Sequence, residues 1–201
     1  MQNQIQNKSD AEADKGGSRD AQVDKLMFQS RFVMVFGEIN HRQAQRVCER
    51  LLAMSEESDK PIRMLVSSPG GHVESGDVIH DMIRFVRAPV ITIGSGWVAS
   101  AGTHIFLAAE KENRLCLPNT RFMIHQPSGG AGGPASDIEI QAKEILRTRE
   151  RIARVIAEST GQPYDKVLVD VERDFWMDPQ QAIEYGVVSK VIRHHSDLGI
   201  E

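Results

Sequence analysis

Val90-Ile91-Thr92-Ile93-Gly94-Ser95-Gly96-Trp97-Val98-Ala99-Ser100-Ala101-Gly102 passes from an apolar run into small residues and on to a serine flanked by Ala and Gly. Val90–Ile93 reads as a strand ending in the small residues, and Ser100 to about Glu110 as a buried helix starting directly after them. Similar units lie on both sides. Upstream, the strand Phe32–Phe36 ends at Gly37, and Asn40 caps a helix with Ala44, Val47, Cys48, Leu51 and Leu52 on one face. The strand Ile62–Val66 follows, then the turn Ser68-Pro69-Gly70-Gly71 and a helix with Val78, Ile79, Met82, Ile83 and Val86 inward. Downstream, Leu115–Leu117 and Phe122–His125 read as a strand pair around Pro118-Asn119. After the Gly- and Pro-rich loop Gln126–Pro134, Ser136 and Glu139 form a capping box opening a long helix that Gly161 and Pro163 stop near Thr160. A short helical stretch over Pro163–Val171, a small helix from Asp178-Pro179 to Gly186 and a last strand Val187–Ile192 complete the pattern. Alternation of this kind means an α/β fold, and there is no internal sequence repeat.

The 201 residues suit one domain. Residues 1–27 read as a flexible polar tail and residues 28–201 as the folded domain. Lys and Arg total 24 against 28 Asp and Glu, leaving −4 with no basic block, which argues against nucleic acid as a partner. No run of about 18 apolar residues is present to cross a membrane. The polar first twenty residues do not form an ordinary secretory signal. Cys48 and Cys116 lie far apart in apolar contexts, as reduced core residues of a cytoplasmic protein would. The histidines show no metal-binding spacing, so no metal is expected.

Four places could carry chemistry. A serine at a helix start sits where free N–H groups and the helix dipole favour negative charge, as a tetrahedral oxyanion requires. Ser100 could equally be a plain helix cap, and Val98 breaks the G-x-S-x-G elbow. The glycines of Ser68-Pro69-Gly70-Gly71 could point N–H groups into a cleft or simply make a turn. His125, at a strand end before the Gly-rich loop, suits a general base or an edge hydrogen bond. Asp174, beside Phe175-Trp176, could orient an imidazole or pair with an arginine. Spacing alone does not join three residues so far apart.

In their order, these pieces resemble ClpP, the family of proteolytic subunits of ATP-dependent Clp protease, from about Phe32 to Ile192. The resemblance is carried by Ser68-Pro69-Gly70-Gly71, Ala99-Ser100-Ala101-Gly102, the run Leu117–Pro127, Asp137-Ile138-Glu139-Ile140, Glu172-Arg173-Asp174 and Glu184-Tyr185-Gly186. It implies a ClpP/crotonase-like spiral of strand–helix units with a long handle helix. It implies a serine endopeptidase with Ser100 as nucleophile, His125 as base, Asp174 as acid, and the backbone N–H groups of Gly71 and Ala101 as oxyanion donors. Gly70 and the stretch Ser128, Gly129, Gly130 would bind an extended peptide. The helix carrying Ile138, Ile145, Ile152 and Ile156 would join two heptameric rings into a tetradecamer that admits unfolded polypeptides. No cofactor is implied in this chain; ATP would be used by a partner AAA+ ATPase.

Some positions depart from the family pattern. Trp97 and Ala101 flank the serine where many relatives carry Gln and Met, and Ser67 stands where Asn commonly precedes the turn. Arg63 and Leu65 occupy the strand where relatives offer aromatic residues to the ATPase. The altered docking strand keeps in view a structural or regulatory subunit of a mixed barrel with a second ClpP-type subunit. The related crotonase fold, which also pairs backbone N–H groups as an oxyanion hole, keeps in view an acyl-CoA enzyme.

Overall fold

The computed structural model describes residues 21–130 and 132–198. Most of the expected tail lies outside these residues. Its last positions are helical, because a helix, α1, spans 21–29 and crosses the expected boundary at 27. Five strands form the parallel path of the sheet: β1 (Phe32–Phe36), β2 (Ile62–Ser68), β3 (Val90–Ala99), β4 (Arg114–Cys116) and, at the far edge, β7 (Lys190–Val191). Two more strands extend it beside the distal part of β3. β5 (Arg121–Ile124) runs parallel to β3, and β6 (Phe175–Met177) pairs antiparallel with β5.

β2 explains how helices cover the sheet. Ile62, Met64, Val66 and Ser68 are buried while Arg63, Leu65 and Ser67 are half-buried, so the strand's alternation gives two unequal faces. The buried face lies under α2 (His41–Glu57) and α3 (Val73–Phe85), which connect successive parallel strands. Asn40 caps α2 as expected, accepting from Gln43 N–H at 3.0 Å. Met54, not Leu52, completes the buried face of α2, and on α3 the side chain of Val78 is exposed. On the other side, Ile91, Ile93, Leu115 and Ile192 form a smaller apolar cluster against Leu65.

β3 is much longer than Val90–Ile93. Its register against β2 jumps from Val66–Gly94 to Ser68–Val98, so Ser95-Gly96-Trp97 bulges, with Gly96 at φ +63°. The bulge lets β3 change partners, from β4 along Thr92–Gly94 to β5 along Trp97–Ala99. β4 and β5 therefore do not form the expected pair around Pro118-Asn119; both lie parallel to β3, one after the other. The helix after Ser100, α4, spans only Ala101–Phe106.

The long helix α5 (Ala135–Thr160) starts after Pro134, so Ser136 is inside it and makes no cap. Proline's fixed φ and missing N–H suit a helix start and take precedence over the capping-box pattern. Gly161, left-handed at φ +78°, ends it as expected. Ala153, Ile156 and Ala157 are buried, whereas Ile138, Ile140 and Leu146 are exposed, so the first half of α5 stands clear of the core. The chain closes with α6 (Tyr164–Asp170) and α7 (Pro179–Tyr185); Asp178 and Gln181 complete a capping box at α7. The final strand is two residues, not Val187–Ile192. Among the described residues no helix is long and apolar enough to cross a membrane.

Candidate active site

Ser100 joins β3 directly to α4 with φ +56° and ψ −123°, a conformation a non-glycine residue adopts at a cost of about 1–3 kcal/mol. Its backbone is held from both sides: its N–H donates to Met123 O at 3.0 Å, and its carbonyl accepts from His104 N–H at 3.1 Å. The side chain makes no helix-cap bond. Instead Ser100 Oγ lies 2.8 Å from His125 Nε2, which removes the capping alternative.

The antiparallel pairing of β5 with β6 sets Ile124 opposite Phe175, so the next residue outward on one strand, His125, meets the preceding residue on the other, Asp174. His125 Nδ1 lies 2.9 Å from Asp174 Oδ1. Among the described residues Asp174's ion-pair partner is this histidine, not an arginine. The three side chains that sequence spacing left separate thus form one continuous chain of hydrogen bonds. With Nδ1–H donating to the carboxylate, Nε2 is the atom able to accept the serine proton. The short strand β6 is what brings Asp174 into place, and nothing in Phe175-Trp176-Met177 alternates to announce it.

The turn before α3 lies against the nucleophile. A Cβ on Gly70 (φ +100°) would come 2.6 Å from Ser100 Cβ and 3.1 Å from its Oγ. On Gly71 (φ +149°) it would come 2.3 Å from Ile39 O. Both positions therefore require glycine for space as well as conformation. The buried Ser68 hydroxyl fixes this turn, accepting from Gly70 N–H at 3.0 Å and donating to Gly37 O at 2.6 Å. Sequence reasoning missed that role, although the serine's place before Pro-Gly-Gly is a signal for it. The N–H groups of Gly71 and Ala101 have no protein acceptor among the described residues, which leaves both available to a developing oxyanion.

Beside Ser100 opens a small cavity of about 30 Å³ whose apolar walls include Val73, Ile124, Pro127, Ile152 and Ile156. His104 also lines it. A second, more open groove runs along Pro127, Ser128 and Gly129, past His125 and Asp174, to Ile145 of α5. Ser128, Gly129 and Gly130 are exposed and unpaired with any strand, as a segment offering its backbone to an extended peptide would be.

Below this cavity lies a polar cluster that sequence reasoning did not find. Asp77 contacts His104 at 2.9 Å and both terminal nitrogens of Arg151 at 2.7 Å. Burial opposes ionisation of Asp77, but the hydrogen bonds from His104 and Arg151 outweigh it and hold the carboxyl well below its usual range. His80 stacks on His104 at 4.4 Å, and burial, aided by that neighbour, lowers its pKa to about 4. Burial likewise pushes the Cys116 thiol up to about 11, in keeping with an inert core residue. Among the described residues no group of three or more His, Cys, Asp or Glu could hold a metal.

The family model for Clp protease matches residues 15–195. The ATP-dependent Clp protease proteolytic subunit 3 of Rhizobium etli is 53% identical over 172 residues, 86% of this chain and 89% of that protein. The proteolytic subunit 2 of Pseudomonas aeruginosa is 52% identical over 179 residues, covering 89% of each. Among solved structures, ClpP1 from Listeria monocytogenes superposes with a TM-score of 0.79 at 48% identity, over 88% of this chain and 99% of that one. Its N165D mutant gives 0.82 at 49% identity over the same shares. These matches set aside the acyl-CoA reading. The chain belongs to the Clp protease family and is a ClpP-type serine peptidase subunit.

Proposed function

We propose that this subunit hydrolyses peptide bonds through a covalent intermediate on Ser100. The observation that carries the reading is the unbroken hydrogen-bond chain from Ser100 Oγ through both ring nitrogens of His125 to Asp174. As Ser100 Oγ attacks a peptide carbonyl, its proton passes to His125 Nε2, and Asp174 stabilises the imidazolium and holds its tautomer. The carbonyl oxygen, now negative, receives hydrogen bonds from the N–H groups of Gly71 and Ala101. His125 then protonates the leaving amine, and water enters by the same steps in reverse to release the acyl group. The extended substrate runs past Gly70 and along Ser128–Gly130. No step needs a cofactor bound to this chain.

The working assembly is a barrel of two heptameric rings, fed with unfolded polypeptides by a Clp-type AAA+ ATPase that consumes the ATP, in the cytoplasm. The exposed Ile138, Ile140 and Leu146 on the first half of α5 support it, since large apolar side chains left in water on one projecting segment invite a second copy. Partnership with a second ClpP-type subunit is favoured by Arg63. Its guanidinium donates to Ser30 O at 2.8 Å, meets His195 at 3.3 Å and lies 4.7 Å over the Phe32 ring. Such an arginine does not swing freely aside for an apolar loop of an ATPase, and burying its charge there is costly.

Turnover of a short fluorogenic peptide tests the chemistry. Purified Ser100→Ala and His125→Ala should each lose about 10⁴-fold or more, and Asp174→Ala somewhat less. Unchanged turnover in Ser100→Ala would sink the proposal.

A further inference from the structure

Three helices meet on one carboxylate below the nucleophile. Asp77 on α3 accepts at Oδ1 from His104 Nε2–H of α4 (2.9 Å) and Arg151 Nη1 of α5 (2.7 Å), and at Oδ2 from Arg151 Nη2 (2.7 Å). The His104 side chain is 5% exposed and that of Asp77 20%, so the His104 half of the grip lies largely out of water, where charge-assisted bonds are strong, while Arg151 closes it from the half-exposed side. Arg151 binds in the two-pronged manner that fixes orientation as well as distance. His104 lies one helical turn beyond Ser100, to whose carbonyl its own N–H donates. Arg151 immediately precedes Ile152.

Those neighbours give the cluster its meaning. The cavity beside Ser100 is bounded on one side by Ala101, Thr103 and His104 of α4 and on another by Ile152 and Ile156 of α5. Contact between α4 and α5 is otherwise sparse. His104 Nδ1 is buried with no partner, so the side chain is held by Asp77 and by its stack on His80.

We propose that Asp77 is a positioning residue that sets the separation of the two cavity walls, and through it the size of the substrate side chain accepted next to the scissile bond. The inference rests on Ser100 being the nucleophile and goes beyond it, assigning selectivity to a residue that touches neither substrate nor triad. Without Asp77, Arg151 no longer ties α5 to α3, and His104 loses its anchor. A side chain long enough to reach both walls then loses its fit, whereas one that stops short of them is indifferent.

The test uses the full chain in its assembled state and two fluorogenic peptides that differ only in the residue before the cleaved bond, Leu or Ala. In Asp77→Ala, kcat/KM for the Leu peptide should fall about tenfold, while that for the Ala peptide changes less than about twofold. Arg151→Lys, which keeps the charge but loses the fork, should shift the Leu-to-Ala ratio in the same direction by about threefold. Asp77→Glu should restore part of the ratio. A small fluorophosphonate should label Ser100 at the wild-type rate in all of these variants. A Leu-to-Ala ratio equal to wild type in Asp77→Ala and Arg151→Lys overturns the proposal. If Asp77→Ala does not assemble, an unchanged ratio in Arg151→Lys alone overturns it. Failure of the nucleophile assignment would register differently, as wild-type protein that takes no label at Ser100.

Discussion

The end of the sheet that carries Ser100 and the first half of α5 are built on opposite terms. Around Ser100 the single chain supplies its own partners: the serine backbone is bonded from both sides, His125 has Ser100 and Asp174, and the Ser68 hydroxyl holds the glycine turn. Along α5 from Ala135 to Leu146 the chain supplies almost none, and Ile138, Ile140 and Leu146 face water. The first region has catalytic geometry in the isolated subunit; the second acquires a purpose when another surface covers it. A peptidase that should act only inside an enclosure can separate its chemistry from its assembly in this way, and the two can be broken independently.

The largest separation should come from Gly71→Ala. Its Cβ would run into Ile39 O and force the turn to move, taking one oxyanion donor with it. Peptidase activity should fall about 10²–10³-fold, with the assembled mass unchanged by light scattering. Activity within twofold of wild type would mean that Gly71 N–H does not serve the oxyanion.

Ile145→Pro should act at the other region, costing about 3 kcal/mol or more in α5 and yielding single rings or unfolded chain. Ile140→Asp is the sharper tool. Ile140 is 60% exposed in the subunit, so its replacement should change subunit stability by only about 0.5 kcal/mol while weakening ring-to-ring association. Mass measurements at micromolar concentration would check this, and an unaltered mass would place the interface elsewhere.

A smaller effect concerns the polar cluster between the two regions. His80 is held neutral down to about pH 4, whereas in the unfolded chain it protonates near 6.5. Below pH 6.5 the unfolded state therefore binds the extra proton, and stability falls as pH drops from 6.5 towards 4, by up to about 3 kcal/mol. His80→Phe should flatten this fall in urea unfolding followed across that range. An equally steep loss in the variant would assign the acid sensitivity to other groups.

How much of this could be read from residues follows from what each pattern encodes. Asn40, Gly161 and the Asp178-Pro179 start act locally and were legible. Strand partnership was not. Pro118-Asn119 suggests a hairpin, yet the bulge at Ser95–Trp97 lets both flanking strands run parallel to β3. β6 escaped because three residues, Phe175-Trp176-Met177, give no period to detect, and with it went any local reason to join Asp174 to His125. The resemblance to ClpP named those residues together before geometry did. The Asp77–His104–Arg151 cluster was invisible because helical spacing says which face a residue occupies, not which neighbouring helix it meets.

The central claim is that Ser100 is the covalent nucleophile, activated by His125. Intact-mass spectrometry after treatment with a fluorophosphonate tests it most directly. Wild-type protein should gain one adduct per chain, mapped to Ser100 by peptide digestion. Ser100→Ala should gain none, and His125→Ala should label at least about a hundredfold more slowly. A full adduct on Ser100→Ala, or labelling at another residue in the wild type, would contradict the account.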